Sequence, residues 1–565
     1  MHRAAAPTRP GLVLVAMLLA MLTGCVGIPT GGPVTEGQEI TEEDAGDFDF
    51  FPVGPVDGAS QSDILRGFVA AFTGSANDYS VARQFLSSGF ADEWNPRASV
   101  TVRDANERLS PVDDDTIAYS VNASATVNSS GAYRQNADPV PVTLPFDFVL
   151  EDDQWRISAA ENGIVLADVT FRAIFDQHSL YFLDPTNEYL VPDIRWFASG
   201  TATLRIVAGV LDGPPDWLQG AVRTAFPDGT QLADPQVDIE SSVAIVDLST
   251  EALGAEPSER QLMQLQLSTS LATVPNVRGV SISVSGTPLE IPELAASAPV
   301  LNPQVDDRPV VLRGDDFGYL SGDSVTSLRG LGSRVVETSP RAAATDGDSV
   351  AVLGAAGVSL VRPDDAPTVL LDDRAGLVAP TIDHNGFVWS GVAGAPQTLR
   401  ISTADGTVGS VDTGLSSDLS LVSVDLSRDG TRLAMLLSNG SVSRLVIKAV
   451  NRDASRSQLP VALSESVLDI SLPAGSAIDA TWVDDRSVAV LTAARDDEGE
   501  QGSVSVFELG GERSSLGQPG IATALIGGNG PSGLRALGAD STILARSGVG
   551  WTDTGDEVTL IATQY

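Results

Sequence analysis

The 565-residue chain has one cysteine, Cys25, one lysine, Lys448, and three histidines. A lone thiol forms no internal disulfide, so the fold must be held by buried apolar surface. His178 and His384 each lack a second histidine at ligand spacing, and no zinc site is expected. No Gly-x-Ser-x-Gly pentapeptide occurs, and Lys448 follows Ile447 rather than glycine. These absences remove the nucleophile-elbow hydrolases and the P-loop proteins. Positive charge is also scarce: 34 basic residues stand against 74 acidic ones, for a net charge of -40. Such a surface repels polyphosphate, and nucleic acid is not an expected partner. The near-complete use of arginine as the base reads as codon bias. Carboxylates are too numerous to single out, which leaves a glycosidase-like pair open.

The apolar run Gly11 to Leu22 is shorter than the ~20 residues a permanent bilayer span needs. It follows His2, Arg3 and Arg9 and ends at Leu22-Thr23-Gly24-Cys25. A short basic region, an apolar region and small residues before a cut make a signal peptide, residues 1–24. Leu22-Thr23-Gly24-Cys25 resembles the lipobox of bacterial lipoproteins. The resemblance implies that Cys25 carries S-diacylglycerol and an N-acyl chain, which rules it out as a nucleophile. Several acyl chains on one residue anchor stably to a membrane. Residues 25–53 lack apolar periodicity and are acidic between Glu36 and Asp49, as in a solvated tether.

Hydrophobic residues make up 42% of the chain, and its length allows about three or four domains. In residues 54–169, Ile64, Leu65, Phe68, Val69 and Phe72 share a helical face after Ser60 and Ser62, and a second short helix is expected at Val81, Phe85 and Leu86. Alternation follows at Ile117 to Val121, Val142 to Leu150 and Trp155 to Ile157. Helices followed by antiparallel strands resemble the cone-shaped nuclear-transport-factor-like (NTF2-like) fold, a scaffold here rather than an enzyme. In residues 172–289, strands are expected at Leu180 to Leu183, Leu190 to Phe197, Val243 to Leu248 and Val277 to Val284. Helices are expected at Leu204 to Leu211, from Asp216 through Leu218, Val222 and Phe226, and at Ser258 to Leu271. This α+β segment resembles the GerMN domain through Tyr181-Phe182, Leu190 to Arg195 and Val210-Leu211-Asp212-Gly213-Pro214. Arg195 is expected at the surface or as a cap, and the resemblance implies a binding or assembly module.

After a linker at 290–308, residues 309–565 hold short alternating strands, and an all-β propeller of roughly six blades is expected. Hairpins recur at Ala344 to Leu353, Ile382 to Trp389, Val424 to Leu437, Ala480 to Val490 and Leu534 to Ala545. Asp425-Leu426-Ser427-Arg428-Asp429-Gly430 imitates the start of a calcium loop, but Leu436 occupies the twelfth position where a bidentate carboxylate is required. A plain hairpin turn is expected there.

Cys25-Val26-Gly27-Ile28-Pro29-Thr30-Gly31-Gly32-Pro33, the segment from Val191-Pro192 to Gly213-Pro214 and the domain order resemble the actinobacterial LpqB lipoprotein family. The resemblance implies a non-enzymatic accessory without cofactor or metal, lipid-anchored on the outer face of the cell membrane. Its implied partner is the ectodomain of an MtrB-like sensor histidine kinase, in envelope homeostasis and division. A propeller that senses cell-wall glycan or peptide, and an envelope hydrolase, are the alternatives.

Overall fold

A computed structural model describes residues 52–565 except 75, 294–297, 364–365, 407, 466–467, 473–474 and 497–498. The signal peptide, Leu22, Thr23, Gly24, Cys25 and most of the tether lie outside the described residues. Residues 50–565 form one compact unit.

Helix α1 (Gln61–Ala70) starts where Ser60 Oγ accepts the amide of Asp63 at 3.2 Å, and it buries Ile64, Leu65 and Phe68. A short helix α2 (Ala76–Arg83) follows. The sheet contains β1 (Ser99–Pro111), β2 (Thr116–Asn128), β3 (Tyr133–Glu151), β4 (Gln154–Ala159) and β5 (Ile164–Ala167), in the order β4-β3-β2-β1-β5. Along β2, Ile117, Tyr119, Val121, Ala123, Ala125 and Val127 are buried and the intervening residues are not, so one face meets the helices. Phe68, Phe72, Trp94 and Phe146 pack edge and face, with Phe68 4.7 Å from Phe72 and 5.0 Å from Trp94. Helix α3 (Asp168–Ile174) leads into the second domain.

There, β6 (Phe175–Leu183) and β7 (Tyr189–Ala198) pair antiparallel, and α4 (Ala202–Leu211) packs on β6. Strands β8 (Asp238–Glu240), β9 (Val243–Leu248), β10 (Gly279–Val284) and β11 (Thr287–Pro288) form a second sheet, with α5 (Pro257–Ser270) between β9 and β10 in sequence. A capping box between Glu256 and Glu259 and Pro257 in the first turn start α5. One cluster containing Phe182, Val191, Ile206, Val246, Met263 and Ile282 is the core.

The expected helix from Asp216 through Phe226 is not formed. Only Asp216–Leu218 turns, as a 3-10 segment; Gly220 takes φ +80°, and the backbones of Leu183 and Arg223 exchange hydrogen bonds at 2.8 and 2.9 Å. Apolar spacing suited a helix, but pairing with the end of β6 satisfies that backbone instead.

Strand β12 (Val300–Leu301) pairs with β7 and leads to the propeller. Its six blades are residues 310–327 with 560–564 (blade I), 342–372 (II), 381–412 (III), 420–471 (IV), 476–515 (V) and 522–557 (VI). The innermost strands adjoin one another around a closed ring, and Leu560–Gln564 joins the ring while pairing with Val310–Arg313. Both ends of the domain therefore build blade I, which removes the free edge of the ring. Blade IV carries an extra outer pairing by Leu468–Ser471, one cause of the uneven hairpin spacing.

Candidate functional site at the domain junction

Arg195, expected at the surface or as a cap, is buried. Its Nε pairs with Asp193 Oδ2 at 2.5 Å, and Nη1 donates to Ser130 O at 2.7 Å in the turn after β2. The neighbouring Trp196 donates its indole N–H to Gly510 O in blade V at 2.9 Å. Burial pushes the Asp193 carboxyl up and the Arg195 charge opposes that shift. One strand, β7, thus holds the first domain through Arg195 and the propeller through Trp196.

Other ties share this junction. Arg172 Nη1 reaches Glu512 Oε2 at 2.5 Å, and Gln135 Oε1 accepts the amide of Arg513 at 3.0 Å. Ile194 enters an apolar cluster with Leu436, Ile447, Trp482 and Leu509 of blades IV and V. Gly510 has φ +68°, and a Cβ there would lie 2.8 Å from Ile194 O, so glycine allows the close approach. The following segment is tied as well: Pro303 O accepts from Arg428 at 3.1 Å, and Asn529 receives the Val305 amide at 2.9 Å and returns a bond to Val305 O at 2.8 Å. Gly510 and Glu512 lie between the third and fourth strands of blade V, and Arg428 and Asn529 between the first and second strands of blades IV and VI, so these partners share one face of the propeller. The second domain and the segment after it cap that propeller face.

The two histidines among the described residues serve packing. His178 is buried with Nδ1 2.9 Å from Thr273 Oγ1, and burial lowers its pKa. His384 lies 5.0 Å from the Tyr189 ring and contacts Asn385. Among the described residues, no group of three or more His, Cys, Asp or Glu could hold a metal ion.

In the propeller interior, Asp425 accepts the Trp482 amide at 2.9 Å and the Tyr565 hydroxyl, and Tyr565 also receives the Thr381 hydroxyl at 2.7 Å. Ser427 donates to Asp429 at 2.8 Å, while Asp429 pairs with the fully buried Arg432 beneath Trp482. The calcium-like segment is a hairpin turn whose carboxylates bind protein groups. Burial pushes the Asp425 carboxyl up to about 6 and that of Asp479, on the neighbouring inner strand, up to about 7, with the Asp425 charge adding to the second.

Two larger hollows flank these elements. A groove of about 240 Å³ beside the junction is lined by Arg134, Asn136, Ser471, Phe507 and Arg513. A half-open cavity of about 240 Å³ in the first domain brings Arg103, Glu107 and Tyr119 together beside Leu65 and Val69. Sequence reading took this domain for a scaffold and missed that convergence. The even spacing of Arg103 and Glu107 along a strand was the available signal.

Three family models match in series: the N-terminal domain of lipoprotein LpqB over residues 54–172, the domain of sporulation and spore germination over 179–290, and the LpqB beta-propeller domain over 315–559. The chain belongs to the LpqB lipoprotein family. An LpqB of Cutibacterium acnes is 32% identical over 297 residues, 51% of this chain and 49% of that one. The chain thus spans about half the length of that relative, and it spans 91% of an LpqB of Bifidobacterium longum at 23% identity, which covers 91% of this chain. The first GerMN domain of the sporulation protein GerM from Bacillus subtilis is similar at 23% identity and a TM-score of 0.18, covering 22% of this chain and 93% of that domain. Membership of a lipoprotein family fits membrane anchoring, and no helix among the described residues is long and apolar enough to cross a membrane.

Proposed function

We propose that this LpqB-family chain is held by lipid on Cys25 at the outer face of the cell membrane and modulates a sensor histidine kinase of the MtrB kind without catalysing a reaction. The junction built by Arg195, Trp196 and Gly510 is the observation that carries this reading. It joins three domains into one body, so the chain presents a composite surface of fixed geometry, as a docking protein requires. Val442 and Ile521, 51% and 54% exposed, lie in loops on the propeller face away from the second domain and are the apolar anchors assigned to the kinase ectodomain. Lipid confinement raises the effective concentration beside membrane receptors, and a weak contact then suffices. Reconstituted with the kinase in vesicles, the lipidated chain is expected to change autophosphorylation, and Val442→Asp with Ile521→Asp to abolish that change. An unaltered rate with the native chain would refute the reading.

The groove lined by Arg134, Asn136 and Ser471 favours a second reading, a sensor of cell-wall glycan or peptide. Saturable binding of muropeptides, lost with Asn136→Leu, is its expected result.

A further inference from the structure

The cavity of the first domain has a volume of about 240 Å³ and mostly apolar walls, among them Leu65, Val69, Leu109, Val165 and Leu166. An enclosed cavity of about 150 Å³ already admits benzene, so this larger pocket, open to solvent on the Arg66 side, has room for a ring with a substituent or a short branched chain. Its polar side is a small network. Tyr119 donates to Glu107 Oε2 at 2.8 Å, and Arg103 Nη2 reaches the same oxygen at 2.7 Å. Arg103 Nη1 donates to Asp104 O at 2.9 Å, whereas Arg103 Nε is buried without a hydrogen-bond partner among the described residues. Buried N–H groups are rarely left unpaired, and an acceptor oxygen in the cavity would complete this one.

Charge selects the acceptor. Arg66 and Arg103 line the cavity with one carboxylate, Glu107, and among the described residues Arg66 forms one ion pair, a long, exposed one of 3.8 Å to Asp63. Burial, with the Glu107 hydrogen bond, holds the Tyr119 phenol above its ordinary pKa, so it remains a neutral donor. The lining itself thus holds two guanidiniums and one carboxylate, the second counter-charge being Asp63 outside it on the exposed side of Arg66, and a monoanion is the acceptor that suits this side of the pocket. Sugars fit poorly, because their hydroxyls would be stripped of water against leucine and valine.

We propose that the first-domain cavity binds a small apolar monocarboxylate, an aromatic or short branched acid, with its carboxylate on Arg103 and its hydrocarbon against the Leu65 and Val69 wall. The site is separate from the kinase-docking face, and its test does not depend on that reading. Calorimetric titration of the purified full chain with benzoate is expected to show saturable single-site binding, with benzyl alcohol bound about tenfold more weakly for want of the charge-assisted bond. Arg103→Gln is expected to weaken benzoate by about tenfold or more, and Arg66→Gln, at an exposed position, by a few-fold. Val69→Phe, which fills the cavity from its wall, is expected to abolish binding while near-ultraviolet circular dichroism stays native. No saturable binding of benzoate, equal binding of benzyl alcohol, or benzoate binding unchanged by natively folded Arg66→Gln and Val69→Phe would each overturn the proposal.

Discussion

Asp479 is half-buried, its carboxylate held between the amides of Leu525 and Ala480, each at 2.9 Å, and desolvation together with the charge of Asp425 brings its pKa to about 7. An unfolded aspartate titrates near 3.9. Between those values the folded chain binds the extra proton, so this group's contribution to stability falls as pH rises from about 4 through 7. Asp425 and Asp485, each pushed up to about 6 chiefly by burial, act in the same direction. The melting temperature is expected to be several degrees higher at pH 5 than at pH 8. Because relief of a net charge of -40 also favours acid, Asp479→Asn is the control, and its slope over that window should be shallower. Arg432 poses the opposite case: burial works against the Asp429 carboxylate, but the Arg432 charge and the Thr431 hydrogen bonds together more than offset it and leave its pKa below the ordinary range. Arg432→Met strands a buried carboxylate and should cost about 3–5 kcal/mol in urea unfolding.

At the scale of elements, α1, α5 and the strand β9 were legible because cap residues, apolar period and alternation agree there. The segment from Asp216 to Phe226 was not, since its backbone is satisfied by the end of β6, a partner more than thirty residues away that periodicity cannot register. Arg195 eluded sequence reading for the same reason, as Ser130 and Asp193 together decide its burial. The Arg103, Glu107 and Tyr119 cluster depends on the register of β1 against β2, where a shift falls between Arg103 and Glu107. The propeller class was legible, but its closure by Leu560–Gln564 against Val310–Arg313 rests on contacts across the whole domain. Tyr565 fastens that closing strand to blades III and IV through Thr381 and Asp425. Tyr565→Phe removes both buried hydrogen bonds and should cost about 1–3 kcal/mol, read as a lowered melting temperature.

Over the whole molecule, the cap of β7 and residues 302–308 on the propeller predicts that the second and third domains do not separate under native conditions. Limited proteolysis should spare the segment around Pro303 and Val305 in the native chain. Gly510→Val, which cannot bring Ile194 so close, should open it to cleavage. We propose that this rigid body acts beside a kinase because lipid on Cys25 holds it there. Crosslinking in intact cells followed by mass spectrometry, comparing the native chain with Cys25→Ala, tests it most directly. Recovery of a sensor-kinase ectodomain from native cells, lost with the anchor, is the predicted result; glycan fragments with no kinase, or a kinase still captured by Cys25→Ala, would contradict it.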